Sequence, residues 1–167
     1  RWIARAYQVT NVFPGLSVEE SVLGARNGQK RLLNPIRTSR NDREGRAAVR
    51  EVLESVGIAD HLETTVENLS HADQKLLDIA LVLATDPDLV LLDEPTAGLS
   101  TNETGKVKSL IDDLRSEVTI LLVEHDMDVV MDLAYRITVL HNGQILAEGT
   151  PETISDTQRV QEVYFGR

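Results

Sequence analysis

The chain has 167 residues, 41% of them hydrophobic, which is enough for a globular unit with a substantial core. Its 27 acidic against 17 basic residues give a formal charge of −10, so a surface built to grip a nucleic-acid backbone is not expected, and the lack of cysteine removes disulfides and thiolate metal sites. No run of 18 apolar residues and no charged-then-apolar leader marks a membrane span or a signal peptide, which makes the cytosol the expected compartment.

Residues 17–23 read as a turn or short helix. From 43 to 56, Val49, Val52, Leu53 and Val56 recur at the spacing of an amphipathic helix, and Gly57 offers a left-handed stop. Residues 72–84 are also helical but apolar more widely round, through Leu76, Leu77, Ile79, Ala80, Leu81 and Leu83, which predicts a largely buried helix. Ser70 with Asp73 three residues on fits a capping box at its start. Asp86, Pro87 and Asp88 then separate a helical half, residues 1–85, from a strand-rich half, residues 86–167.

Residues 89–92, Leu-Val-Leu-Leu, run straight into Asp93, Glu94 and Pro95. A continuous apolar run bounded by turn residues predicts a strand buried on both faces of a parallel sheet, whose carboxyl end is where such sheets bind ligands. Ser100 and Glu103 form a second capping box, opening a helix with the core stripe Val107, Leu110, Ile111 and Leu114. Residues 118–123 repeat the buried-strand pattern and end in Glu124, His125 and Asp126. A helix over 127–134 follows, then strands at 137–140 and 145–147 joined across Asn142 and Gly143, a strong hairpin signal. Residues 151–167 read as two short helices. Strands alternating with helices predict an α/β fold with a mostly parallel sheet beside a helical subdomain.

Asp93 stands where phosphoryl-transfer folds hold Mg²⁺, and Glu94 where a neighbouring group orients the attacking water. The bland alternative is a turn begun by Asp93 and closed by Pro95. His125 ends the neighbouring strand 31 residues after Glu94, so both are expected at one crevice, although a lone loop histidine is more often solvated. Capping fully explains Ser70 and Asp73, yet a helix amino terminus with a serine hydroxyl is also an anion site.

In this order, these residues resemble the nucleotide-binding domain of ABC transporters, nearly from end to end. Residues 89–94 look like the family's Walker B strand with its catalytic glutamate, Ala97 to Ser100 like its D-loop, and His125 like its switch histidine. Leu69, Ser70, His71, Ala72 and Asp73 occupy its signature motif. Gln8, before Val12, Phe13, Pro14 and Gly15, looks like its Q-loop; taken alone it is an ordinary surface amide. The resemblance implies a partial P-loop NTPase fold, ATP and Mg²⁺ as ligands, Glu94, His125 and Gln8 as catalytic residues, Asp93 and Gln8 as metal ligands, and Ser100 with the signature at the nucleotide. It also implies transmembrane permease subunits, a second ATP-binding subunit, an external solute-binding protein and a place at the cytoplasmic face of the membrane. The stretch 13–18, residues 124–127 and the ending 162–166 look like importers of branched-chain amino acids or urea. A chromosome-organising or DNA-repair ATPase shares the core but puts a long coiled coil between Q-loop and signature, whereas only 61 residues separate Gln8 from Leu69 here.

Three departures stand out. The phosphate loop Gly-x-x-x-x-Gly-Lys-Ser/Thr is absent: Gly105 and Lys106 are followed by Val107 and fall inside a predicted helix. With Arg1 opening the chain in mid-domain, the expectation is a truncation just before it, leaving a fragment that does not catalyse alone. His71, Ala72 and Asp73 replace the family's Gly-Gly-Gln, adding a methyl and a negative charge where a phosphate is expected to lie. Leu76 stands where many members carry a basic residue.

Overall fold

The computed structural model describes residues 3–6, 15–33 and 43–165 and divides the chain into two units, Arg1–Val123 and Glu124–Arg167. In the first unit, the Ser17 hydroxyl accepts the Glu20 N–H at 3.1 Å while the Glu20 carboxylate accepts the Ser17 N–H at 3.0 Å. That capping box starts α1 (Val18–Leu33), a helix of 16 residues where the sequence pattern predicted a turn or short helix over residues 17–23. Val18 and Val22 in its first turns are fully buried, and α1 packs on α2 (Arg43–Ser55) and α3 (His71–Leu83). From α2, Val49 and Leu53 fill the same core, and Gly57 ends the segment at φ +79 as its position predicted. Between α2 and α3, residues 58–70 run through two short 3-10 turns and are pinned to the start of α1 by Val18 N–H to the Thr64 carbonyl and Val66 N–H to the Leu16 carbonyl.

A parallel sheet of order β1-β2-β3 makes the other half of this unit: β1 (Ile3–Arg5), β2 (Leu89–Asp93) and β3 (Thr119–Val123). Sequence patterning missed β1, whose three residues are too few to show a period. Leu89 pairs with Thr119 and Asp93 with Val123, so β2 and β3 end level. Between them runs α4 (Thr101–Leu114), burying Val107, Leu110, Ile111 and Leu114 as expected and containing Gly105 and Lys106. The expectation of strands buried on both faces fails for β3. Val90 and Leu92 of β2 are buried, but Leu121 and Val123 of β3 are about half exposed, as is Ile3 even more. Helices cover one face only among the described residues, and an alternating half-open pattern is the result.

In the second unit, α5 (Met127–Leu133) precedes β4 (Ile137–His141) and β5 (Gln144–Gly149). Asn142 at φ +50 and Gly143 at φ +76 give the tight turn predicted for them. This pair forms its own antiparallel two-stranded sheet instead of extending the parallel one, because a two-residue turn can only return the chain beside itself. Pro151 opens α6 (Pro151–Ser155), α7 (Gln158–Val160) follows, and a π-helical turn over Gln161–Phe165 succeeds it, one segment more than the two short helices expected. Ile137, Val139, Ile154 and Val160 form its core, with Met127, Val130 and Met131 against it.

Candidate functional site

Asp93 and Glu94 sit where β2 stops. Asp93 is the last residue in register with β3; Glu94 takes φ +47, a left-handed conformation uncommon for a residue with a Cβ, and its N–H extends the ladder to the Val123 carbonyl at 2.8 Å. Its own carbonyl accepts two donors, the Ala97 N–H at 3.2 Å and the Lys75 ammonium at 3.4 Å. Pro95 and Thr96 are buried beneath the turn. The Asp93 carboxylate accepts from Arg5 Nη2 at 2.8 Å across the β1–β2 pair. Both partners are nearly half exposed, so this ion pair contributes at most about 1 kcal/mol.

The segment aligned with the signature lies in the same unit. Ser70 caps α3: its hydroxyl accepts the Asp73 N–H at 3.1 Å and donates to the Asp73 carboxylate at 2.6 Å. His61 Nε2 stands 3.8 Å from that carboxylate. Positive charge at a helix amino terminus favours an anion there, and α3 already has one of its own, Asp73. Leu69 and Ala72 are core residues, so the Ala72 methyl faces inward and is not the surface obstruction expected of it. His71 is exposed and leans over the D-loop segment: a Cβ placed on Gly98, itself at φ +77, would meet His71 Nε2 at 3.3 Å. The structure therefore joins two segments that the sequence only placed 27 residues apart.

Ser100, in the D-loop segment, opens α4, with its N–H donating to the Glu103 carboxylate at 2.9 Å and its hydroxyl at 2.5 Å. Those two bonds, the hydroxyl first, hold the Glu103 pKa below its usual value. Ser100 is thus engaged in a cap, like Ser70.

Two buried polar residues escaped the sequence reading. Lys75 and Asp78 lie on α3, a helix predicted buried for its apolar residues, and both are indeed buried. Their i, i+3 spacing on an otherwise apolar helix was the available signal. Together with Ala6, Ile79, Leu92, Asp93 and Pro95 they line a small cleft at the end of β2.

In the second unit, the Glu124 carboxylate is fully enclosed and accepts the N–H groups of His125 at 3.0 Å and Asp126 at 3.5 Å. His125 itself is 70% exposed, with Nδ1 3.8 Å from Glu124. Asp126 caps α5 through the Asp128 and Val129 N–H groups. Sequence reading gave Glu124 no role, although an acid directly before an exposed histidine can orient the loop that carries it. Gln8 lies outside the described residues.

The sequence model of the family described as "ABC transporter" matches residues 1–97. The high-affinity branched-chain amino acid transport ATP-binding protein LivG of Escherichia coli K12 is 37% identical over 174 aligned positions, covering 98% of this chain and 68% of that protein. BraF of Pseudomonas aeruginosa, with the same descriptive name, is 36% identical over 98% of this chain and 68% of its own length. Among solved structures, an ATP-binding cassette of an ABC transporter in its ADP conformation superposes with a TM-score of 0.82 at 24% identity, over 99% of this chain and 68% of that one. CbiO1 of Clostridium perfringens, part of an ABC transporter complex, gives 0.76 at 26% identity over 98% and 63%. The two structural likenesses agree on the α/β cassette fold, and the sequence matches carry the conclusion further: this chain belongs to the ABC transporter family.

Proposed function

We propose that this chain is the larger part of an ATP-binding subunit that drives uptake of branched-chain amino acids, the cargo named for LivG and BraF, in preference to urea. The observation that carries the catalytic reading is the Asp93–Glu94 turn. Two adjacent acids end a parallel strand, Asp93 paired with Arg5 and Glu94 in a left-handed conformation, and this difference in setting supports separate roles for them at a bound phosphate.

In this reading Glu94 orients and deprotonates the water that attacks the γ-phosphate in line, and His125 hydrogen-bonds a γ-phosphate oxygen. Asp93 and Gln8 would hold Mg²⁺, which when bound would neutralise charge on the phosphate oxygens. The donor set fits that ion: Mg²⁺ takes one or two carboxylates and completes its shell with water and phosphate, and the Asp93 carboxylate stands nearly half exposed at the end of β2. Arg5 occupies one Asp93 oxygen through a weak, half-exposed pair that a divalent cation can displace. Ser70, His71 and Asp73, backed by the buried Leu69 and Ala72, and Ser100 face the nucleotide of a second ATP-binding subunit, so that two chains clasp two ATP molecules and closure moves the permease at the cytoplasmic face. An external binding protein delivers the solute. No Gly-x-x-x-x-Gly-Lys-Ser/Thr sequence occurs within the 167 residues, so turnover is expected of the assembled transporter and not of these residues alone.

The test is Glu94→Gln in the complete transporter. ATP binding is expected to persist while turnover falls by about 10²- to 10⁴-fold, the usual contribution of a positioned general base. Undiminished turnover would remove Glu94 from this role.

A further inference from the structure

Helix α3 is apolar on nearly every side, yet Lys75 in its second turn is only 8% exposed. An ammonium is costly to bury unless hydrogen bonds compensate it, and the acceptor here is the Glu94 carbonyl at 3.4 Å. Glu94 is also the residue with φ +47. For a side chain with a Cβ such a backbone persists only where its surroundings hold it, and its holders include the Glu94 N–H on the Val123 carbonyl, and the Ala97 N–H and Lys75 ammonium on the Glu94 carbonyl. The first two belong to the sheet and the turn itself. Lys75 comes from the helix that Ser70 caps, about 7.5 Å along its axis from that cap.

We propose that Lys75 is a positioning residue whose ammonium, bonded to the Glu94 carbonyl, holds the 93–97 turn in its left-handed form and makes the aim of the Glu94 carboxylate depend on where α3 sits. A displacement at the amino terminus of α3, which carries Ser70 and His71, then reaches Glu94 through one rigid helix and one hydrogen bond. The link rests on the reading of Glu94 as the group that activates water; the structural half of it does not.

Lys75→Met removes the donor and keeps the shape of the chain, whereas Lys75→Arg keeps a charged donor. Amide hydrogen exchange read by NMR at Glu94, with the Ile79 amide in α3 as the internal reference, tests the clamp. In Lys75→Met the Glu94 amide is expected to exchange about tenfold faster, the loss of one such hydrogen bond, with Ile79 unchanged. Lys75→Arg restores the slower exchange. In the complete transporter, Lys75→Met lowers kcat for ATP and leaves KM in place, and Lys75→Arg again rescues. Unchanged exchange at Glu94, or an equal rise at Glu94 and Ile79, would overturn the proposal in favour of a lysine that merely fills the core. Faster exchange at Glu94 with unaltered kcat would support the clamp and refute the catalytic reading of Glu94. Should Lys75→Met fail to fold, Lys75→Gln, one atom too short to reach the carbonyl, is judged by the same exchange ratio.

Discussion

Asp73→Gln should move two measurable quantities in opposite directions. The carboxylate of Asp73 lies at the amino terminus of α3, accepts the Ser70 hydroxyl at 2.6 Å and is about one quarter exposed. Its charge against the helix dipole is worth about 0.3–1 kcal/mol, and the bond from Ser70 to a charged acceptor adds a comparable amount after allowance for its exposure. Glutamine keeps the backbone N–H to Ser70 but loses the charge, so a net loss of about 1 kcal/mol is expected. For a chain of this size that lowers Tm by about 2–4 °C, read by far-ultraviolet circular dichroism at neutral pH. The same carboxylate repels any phosphate seated on this helix end: at about 7 Å in a solvent-like dielectric each phosphate charge is disfavoured by about 0.6 kcal/mol, or about threefold in affinity. Asp73→Gln in the complete transporter should therefore bind ATP several-fold more tightly although its fold is weaker, and salt at about 1 M should erase most of the gain. A variant that loses stability without gaining affinity would show that no phosphate approaches α3. One that melts no earlier than the parent would show that the Asp73 carboxylate does not stabilise the start of α3.

Two further outcomes follow from the D-loop segment. Gly98→Ala places a Cβ at φ +77 and 3.3 Å from His71, and the left-handed backbone alone should cost about 1–2 kcal/mol in urea unfolding. The double variant with His71→Ala should recover only the contact part of that loss, and full recovery would mean that backbone strain is negligible there. Glu103 has its pKa lowered by the Ser100 hydroxyl and amide, so its contribution to stability is complete above the ordinary value of 4.5 and is lost as pH falls through the depressed one. The stability gap between the parent and Glu103→Gln should narrow over that acid range, and a gap that widens there would contradict the cap.

Much of the site was legible because its signals are local. An apolar run ending in Asp93 and Glu94 needs no distant partner to be recognised, and Ser70 with Asp73 or Ser100 with Glu103 are caps set by a spacing of three. Asn142 and Gly143 tolerate positive φ and therefore fixed a turn in advance. The same kind of signal at Ser17 and Glu20 was present and passed over, and with it most of α1. Ala72 was misjudged for a different reason: whether a methyl blocks a surface or fills a core depends on which way its helix faces, and only packing decides that.

What the sequence determined by itself is most of the elements from Arg43 onward and the chemical kind of the groups at their ends, because hydrogen-bond caps, turn conformations and apolar periods are fixed over a few residues. Tertiary structure decided the rest. It laid Ile3–Arg5 beside Leu89–Asp93 and so gave Asp93 a guanidinium partner 88 residues away, set His71 over Gly98, and buried the Lys75 ammonium against the carbonyl of Glu94. Each of these is a meeting of residues far apart in the chain, and their closeness depends on how whole helices and strands pack, a property that no short window of sequence contains.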